Sequence, residues 1–362
     1  MKINWVLPEA SQCGGIRVAL QYANALTTLG HDVVCYVPKS GQHFGWKKIF
    51  FPKEIFRMKQ NSELRGEWFD NKFRFEYPVW ITSASVRDAD ITIATSWITS
   101  YWVHKLSRTK GKKVYFIQDF ETWGSKKYNE IVLNSYRLPF DERITVSTAL
   151  HDRVLKEVGS DSKVVCNGVE ECFLKDLAKI RNSLTIGMPY REVRGDDVKN
   201  CALGIRVLLK VKKKYPEVRL AAYGFKKPDD WNDLIDFCEN PTREELVEFY
   251  RKTNIFYVPS LYEGWGLPAM EAMAQKNTVL ASCSGLIREV GIDGENCVIL
   301  KNPADEEEAY RKISALIQDP NKTQTIGQNA REEISQLSEN KSVKLFERIL
   351  LKAIENGNSE RK

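Results

Sequence analysis

No apolar run in these 362 residues approaches the roughly 20 residues that a membrane-spanning helix needs. Apolar stretches such as 91–94 and 255–258 have the length of a strand. Histidine is scarce: His31, His43, His104 and His151 include no pair at i+3 or i+4, so a helical metal site is not expected. The eight cysteines (Cys13, Cys35, Cys166, Cys172, Cys201, Cys238, Cys283 and Cys297) form no C-x-x-C pair and no cluster at metal-ligand spacing. They read as small buried hydrophobes, and neither a zinc site nor another metal is expected. The first residues lack a basic head followed by an apolar core of signal length, which places the expected location in the cytoplasm. Zinc-knuckle, helix-turn-helix and aromatic RNP patterns are missing as well, so nucleic acid is not an expected partner.

What is present describes a globular protein, with 43% hydrophobic and 28% charged residues and a mean hydropathy of -0.40. The net charge of +6 is a mild bias toward anionic partners and does not choose among them. The length exceeds what one hydrophobic core usually serves, so two domains are expected.

Apolar, β-branched runs at 2–7, 32–37, 90–95, 113–118, 144–146 and 163–166 predict strands, and helical periodicity covers 16–29, 98–106, 126–138 and 150–158. A second series follows, with strands at 184–187, 219–223, 234–237, 255–258 and 278–281 and helices at 202–214, 244–252, 268–275 and 306–317. Such alternation means parallel sheets covered on both faces. The fold class is α/β, with two doubly wound domains at 1–170 and 184–338 joined by a polar linker at 171–183. The tail at 339–362 carries Val343, Leu345, Phe346, Ile349, Leu350 and Ile354 at helical spacing, so one face must be buried, expectedly against the first domain. Doubly wound sheets bind ligands at the carboxyl ends of their strands, at the switch point, which predicts a site in a cleft faced by both domains.

The most informative segment runs from Ser260 through Glu263, Gly264, Trp265, Gly266, Leu267 and Pro268 to Glu271, after one strand and into a helix. Gly264 and Gly266 permit close backbone approach, Pro268 suits a first helical turn, and amides at a helix N-terminus favour an anion. Glu263 and Glu271 flank this loop. As pure acceptors, carboxylates suit the hydroxyls of a sugar and of a ribose. The plain alternative is that Glu271 complements the helix dipole and Glu263 is a solvated loop acid.

The Glu263-to-Glu271 segment resembles the E-x7-E segment of the family-four glycosyltransferases of GT-B architecture. The likeness extends to Gly14-Gly15-Ile16, to Leu29-Gly30-His31-Asp32-Val33, and to Asn167-Gly168-Val169-Glu170 with Phe173. Gln118-Asp119-Phe120-Glu121 and the Glu263–Pro268 stretch look closest to bacterial members that use dTDP-rhamnose. The resemblance implies two Rossmann-like domains, a nucleotide diphosphate sugar donor, a saccharide or lipid-linked acceptor and transfer with retention, in surface polysaccharide or glycan biosynthesis and without a cofactor. It also implies roles. Glu263 would bind donor-sugar hydroxyls, Glu271 the ribose, and the amides from Gly264 through Trp265 and Gly266 to Leu267 would face the donor. Arg191, Arg194 and Lys199 compete as cations for the diphosphate, with Lys199 favoured, and the Gly14-Gly15 turn would approach the same group. Where many relatives carry a histidine this chain has Gln118. A neutral amide is no general base, so either Gln118 only orients the sugar, or Asp119 or Glu121 receives the acceptor proton; with the leaving phosphate as base, no side chain would be needed.

Other readings fit less well. Gly264, Gly266 and Ala269 satisfy G-x-G-x-x-A, with Glu289 twenty positions beyond Ala269, yet the glycines stand past the strand's end and late in their domain, against a dehydrogenase. Asp88-Ala-Asp90 precedes a strand and so lies at the wrong end of the sheet for a metal-bound ligand. A non-catalytic sugar-nucleotide sensor or subunit is opposed by the presence of Glu263, Glu271 and Lys199 together, and an epimerase lacks its histidine-rich set. Residues 46–59 mix Lys47, Lys48, Lys53 and Lys59 with aromatics, and read as a basic surface loop or as a peripheral contact with the inner face of a membrane.

Overall fold

A computed structural model describes residues 1–40, 66, 68–122, 129–175, 178–179, 183–192 and 197–359, the last four by backbone alone. The 46–59 segment, Arg194 and parts of the expected linker lie outside the described residues. Two compact units are present. One holds residues 1–122, 129–167 and 340–359 of the described chain, and the other runs from Gly168 to Glu339.

The first unit contains β1 (Lys2–Val6), α1 (Gly14–Thr28), β2 (Asp32–Tyr36), β3 (Arg74–Glu76), β4 (Ile91–Ala94), α2 (Trp97–His104), β5 (Lys112–Ile117), α3 (Asn129–Arg137), β6 (Glu142–Thr145), α4 (Thr148–Val158) and β7 (Lys163–Val164). These strands form a sheet in the order β3-β2-β1-β4-β5-β6-β7. Every pairing is parallel. Strands covered on both faces explain the near-continuous apolar runs: Ile3, Trp5, Val34, Tyr36, Ile91, Ile93, Val114 and Phe116 are all fully buried. The buried Asn4 of β1 is satisfied: its Nδ2 donates to Arg87 O at 3.0 Å and its Oδ1 accepts from Arg87 Nε at 3.2 Å.

The C-terminal helix, Glu339–Ser359, belongs to this unit from Asn340 onward. Phe346 is fully buried and stacks on Trp5 with ring centroids 5.8 Å apart, beside Tyr22 at 4.8 Å and Phe116 at 5.2 Å. Val343, Ile349, Leu350 and Ala353 complete its buried face.

The second unit contains α5 (Glu171–Leu174), β8 (Thr185–Pro189), α6 (Cys201–Lys214), β9 (Arg219–Gly224), β10 (Ile235–Glu239), α7 (Arg243–Lys252), β11 (Ile255–Tyr257), α8 (Leu267–Ala274), β12 (Thr278–Ser282), α9 (Leu286–Val290), β13 (Val298–Leu300), α10 (Glu306–Gln318) and α11 (Pro320–Ile334). Its strands lie in the order β10-β9-β8-β11-β12-β13, again all parallel. Both units are therefore doubly wound, and in each the strand order reverses beside the first strand. A core of Ile186, Met188, Val207, Leu208, Leu220, Tyr257, Leu280 and Ile313, among others, lies between the sheet and α6, α10 and α11.

Five elements have no counterpart in the sequence reading, among them α5, a four-residue helix with Phe173 fully buried, where a polar linker is expected. β3 and β13 are three-residue strands at sheet edges, too short for alternation to register. α9 has five residues. α11 starts at Asp319, whose side chain accepts from Lys322 N, with Pro320 at its first position; its polar composition hides the buried Thr323, Ile326, Ala330 and Ile334.

Candidate active site

β8 and β11 are neighbours at the switch point of the second sheet, and the loops leaving their carboxyl ends carry the predicted residues. The loop after β8 ends at Asn200, which holds φ of 52° as the N-cap of α6. The loop after β11 ends at Gly266, which holds φ of 94° as the N-cap of α8, a conformation that glycine adopts without strain. The loops are tied by Leu261 N donating to Val198 O at 2.8 Å. Across this tie Lys199 Nζ stands 2.7 Å from Glu263 Oε2. Glu263 is further fixed from β12, since its N–H donates to Ser284 Oγ at 3.1 Å and that hydroxyl meets Ser282 Oγ at 3.0 Å. Three strand ends thus converge on one ion pair. The pair is partly buried, with the Lys199 side chain 31% exposed and that of Glu263 14% exposed.

Behind Glu263 the loop is packed tightly. Gly264, Trp265 and Gly266 are buried, and the Trp265 indole donates to Met270 Sδ at 3.3 Å. Leu286 N donates to Trp265 O at 2.6 Å. Gly285 holds φ of 50°, and a Cβ there would stand 2.3 Å from Trp265 O, so no larger residue fits.

Glu271 departs from expectation. The sequence reading projects it into an open cleft, yet it is 5% exposed and already partnered. Arg243 lies 2.8 Å from its Oε1 and the Tyr250 hydroxyl donates to its Oε2 at 3.0 Å. The physical reason is its place on α8, whose residues from Ala269 to Ala274 are all buried. An acid there must find donors in the interior. Burial raises its pKa, and Arg243 opposes that rise. Arg243 also pairs with Glu170 and lies over the Phe173 ring, 4.3 Å from its centroid. Neither Arg243 nor Tyr250 stands out in the sequence. The capping box at Thr242 and Glu245 marks the start of α7, but not the partner of its first residue.

Arg191 is exposed on the loop after β8, its N–H 3.4 Å from Cys201 Sγ. In the first unit, Gln118 follows β5 and its Nε2 donates to Gly15 O at 2.9 Å, so these two predicted residues meet. Gly14 is exposed at the start of α1. A Cβ at Gly15 would make only an ordinary contact, 3.7 Å from Gln118 Oε1, so packing does not demand glycine there. Asp119 is half-buried, and its Oδ1 accepts from Phe120 N at 2.8 Å. Glu121 Oε2 accepts from Trp97 N, at the start of α2, at 2.7 Å. Desolvation pushes the Glu121 carboxyl up to about 8. At neutral pH this holds the Glu121 carboxyl largely protonated. Asp88 is paired with Lys110 at 2.7 Å and Asp90 accepts from Lys2 N at 2.7 Å, both before strand starts, away from the ligand-binding end. Among the described residues no group of three or more His, Cys, Asp or Glu side chains is placed to hold a metal ion.

The architecture is that of the GT-B glycosyltransferases. Sucrose-phosphate synthase from Thermosynechococcus elongatus superimposes with a TM-score of 0.70 at 17% identity, over 99% of this chain and 100% of that one. HepE of Anabaena, solved in complex with UDP and glucose, does so with a TM-score of 0.73 at 15% identity, over 97% and 99%. Residues 194–333 match the family described as Glycosyl transferases group 1, a span within the second unit that contains Lys199, Glu263 and Glu271. An MMP alpha-(1->4)-mannosyltransferase of Mycolicibacterium hassiacum is 37% identical over 101 residues, 28% of this chain and 24% of that protein. A D-inositol 3-phosphate glycosyltransferase of Corynebacterium kroppenstedtii is 25% identical over 205 residues, 50% of this chain and 45% of that one. The alignments thus span less than half the length of these curated relatives.

Proposed function

We propose that this chain is a glycosyltransferase that moves a hexosyl or deoxyhexosyl group from a nucleotide diphosphate sugar to a saccharide or lipid-linked acceptor. The observation that carries the reading is the Lys199–Glu263 pair at the switch point of the second sheet, within the segment that matches the glycosyltransferase family. A lysine and a glutamate 2.7 Å apart offer adjacent positive and acceptor-only surfaces, the complement of a diphosphate joined to a sugar.

In this reading Lys199 and the exposed Arg191 meet the diphosphate. Departure of a nucleoside diphosphate builds negative charge on its terminal oxygens, and a fixed cation at that point lowers the barrier. Glu263 exchanges part of its contact with Lys199 for the sugar hydroxyls. Glu271 accepts from the ribose with the acceptor capacity that Arg243 and Tyr250 leave. With two cations on the diphosphate no metal is required, and turnover in excess chelator is the expected outcome. Retention and a role in glycan assembly follow the family resemblance, and dTDP-rhamnose is the donor that the Gln118–Glu121 stretch favours. Gln118 orients the transferred sugar and Asp119 takes the acceptor proton where a side chain is needed.

The test is incubation of the purified protein with dTDP-rhamnose, UDP-glucose and GDP-mannose, following release of the nucleoside diphosphate with and without candidate acceptors. Release from one donor, abolished in Lys199→Ala and Glu263→Ala, supports the assignment. Turnover at the wild-type rate in either variant removes it.

A further inference from the structure

Among the charged groups of the second unit that the proposed chemistry leaves unassigned, Arg243 stands beside the acid placed at the ribose. Its Nη2 serves two acids at once, Glu170 and Glu271. Its plane covers the Phe173 ring, and its Nε is buried with no acceptor among the described residues. On the far side of Glu271 the Tyr250 hydroxyl donates to Oε2 and meets the Tyr223 hydroxyl at 2.9 Å. The Glu271 carboxylate is therefore gripped by one donor on each oxygen, and two fixed directions determine the plane of the group. A carboxylate has about four acceptor directions, so each oxygen retains one.

We propose that Arg243 is a positioning residue for the nucleoside end of the donor: by fixing one oxygen of Glu271 while Tyr250 fixes the other, it directs the remaining acceptor sites toward the ribose hydroxyls. The inference rests on the donor reading given above. It differs from a structural role, in which Arg243 would only join α7 to α8 and to the segment carrying Glu170. A structural role predicts equal loss of every ligand; a positioning role predicts loss confined to ligands with ribose hydroxyls. The electrostatics agree with the geometry. Despite its own desolvation, Arg243 is held more firmly protonated by Glu271 and Glu170, so the cation persists throughout the working range.

The experiment is calorimetric binding of UDP, GDP, ADP and dTDP to the wild-type protein, followed by the best binder against its counterpart lacking the sugar hydroxyls, both for a ribonucleotide and the single 3′ hydroxyl for dTDP. Wild type is expected to favour the hydroxylated form by about tenfold, the worth of one good charge-assisted hydrogen bond. In Arg243→Gln that preference should fall to about twofold or less, with affinity for the deoxygenated form unchanged, and Arg243→Lys, whose single ammonium can sit between the two acids, should recover part of it. Should Arg243→Gln fail to fold, Tyr250→Phe, which removes a donor from the other oxygen, carries the same comparison. If the wild type binds none of the four diphosphates, the donor reading itself has failed. If it binds but the variant keeps its preference, or loses both ligands equally, the positioning role is overturned while the donor reading stands.

Discussion

Each acid on the loops and helices of the two sheets has a different degree of freedom, and that decides what it can do. Glu263 is held by Lys199 in a partly buried contact whose lysine side is about one-third exposed, 31%, so the pair is reachable from solvent. Glu263→Ala or Lys199→Ala is expected to lower kcat/KM by a factor on the order of 100 or more, the range found for loss of one charge-stabilising group, while lowering stability by about 1.5–3 kcal/mol, the range for a lost hydrogen bond between charged groups. Steady-state kinetics beside urea unfolding checks both. Glu121 is the opposite case. Its folded pKa of about 8 stands above the ordinary 4.5, so the folded state binds the proton more tightly than the unfolded state. Its contribution is fully favourable below pH 4.5 and is lost as the pH rises toward 8, at roughly 1.4 kcal/mol for each pH unit in that window. Glu121→Gln should flatten that part of the stability profile measured by unfolding between pH 4.5 and 8, and a profile identical to wild type would show that Glu121 is ionised in the folded state.

At the scale of elements, the site depends on how sharply the chain turns from β11 into α8. Gly266 and Gly285 hold positive φ, and Gly285 leaves no room for a Cβ against Trp265 O. Gly285→Ala must displace the Trp265 backbone and with it Glu263, at a cost on the order of 2–3 kcal/mol from strain and lost packing. Reduced donor turnover together with a lowered melting temperature is the expected result. α7 contributes differently. Its capping box, Thr242 with Glu245, fixes the first turn and thereby the origin of the Arg243 side chain. Thr242→Ala should cost about 1 kcal/mol. It should also weaken nucleoside diphosphate binding in the same direction as Arg243→Gln, though less.

Across the whole molecule, two units with separate sheets and cores imply that each has its own stability. The first unit is closed by the far end of the chain, where Phe346 enters an aromatic cluster with Trp5, Tyr22 and Phe116. Phe346→Ala should destabilise that unit by about 3–5 kcal/mol, read by calorimetry, while leaving diphosphate binding to the second unit intact. A bound donor acts in the other direction: at a concentration of about 100 Kd it stabilises the unit that binds it by about 2.7 kcal/mol. A thermal-shift panel of nucleotide sugars therefore reports the donor through one transition and leaves the other in place.

Alternation of apolar strands with helical periods, the glycine-proline turn after β11 and the order of motifs were legible without coordinates, because each depends on residues close in the chain. The pairing of charges was not. Lys199 and Glu263 are 64 residues apart and Arg243 and Glu271 are 28 apart. What joins the first pair is that β8 lies beside β11, and what joins the second is that the Arg243 and Tyr250 side chains of α7 reach Glu271 among the buried residues of α8. Local propensity specifies which segments become strands and helices; strand order and burial, which are long-range, decide which acid pairs with a lysine on a loop and which is oriented by a buried arginine.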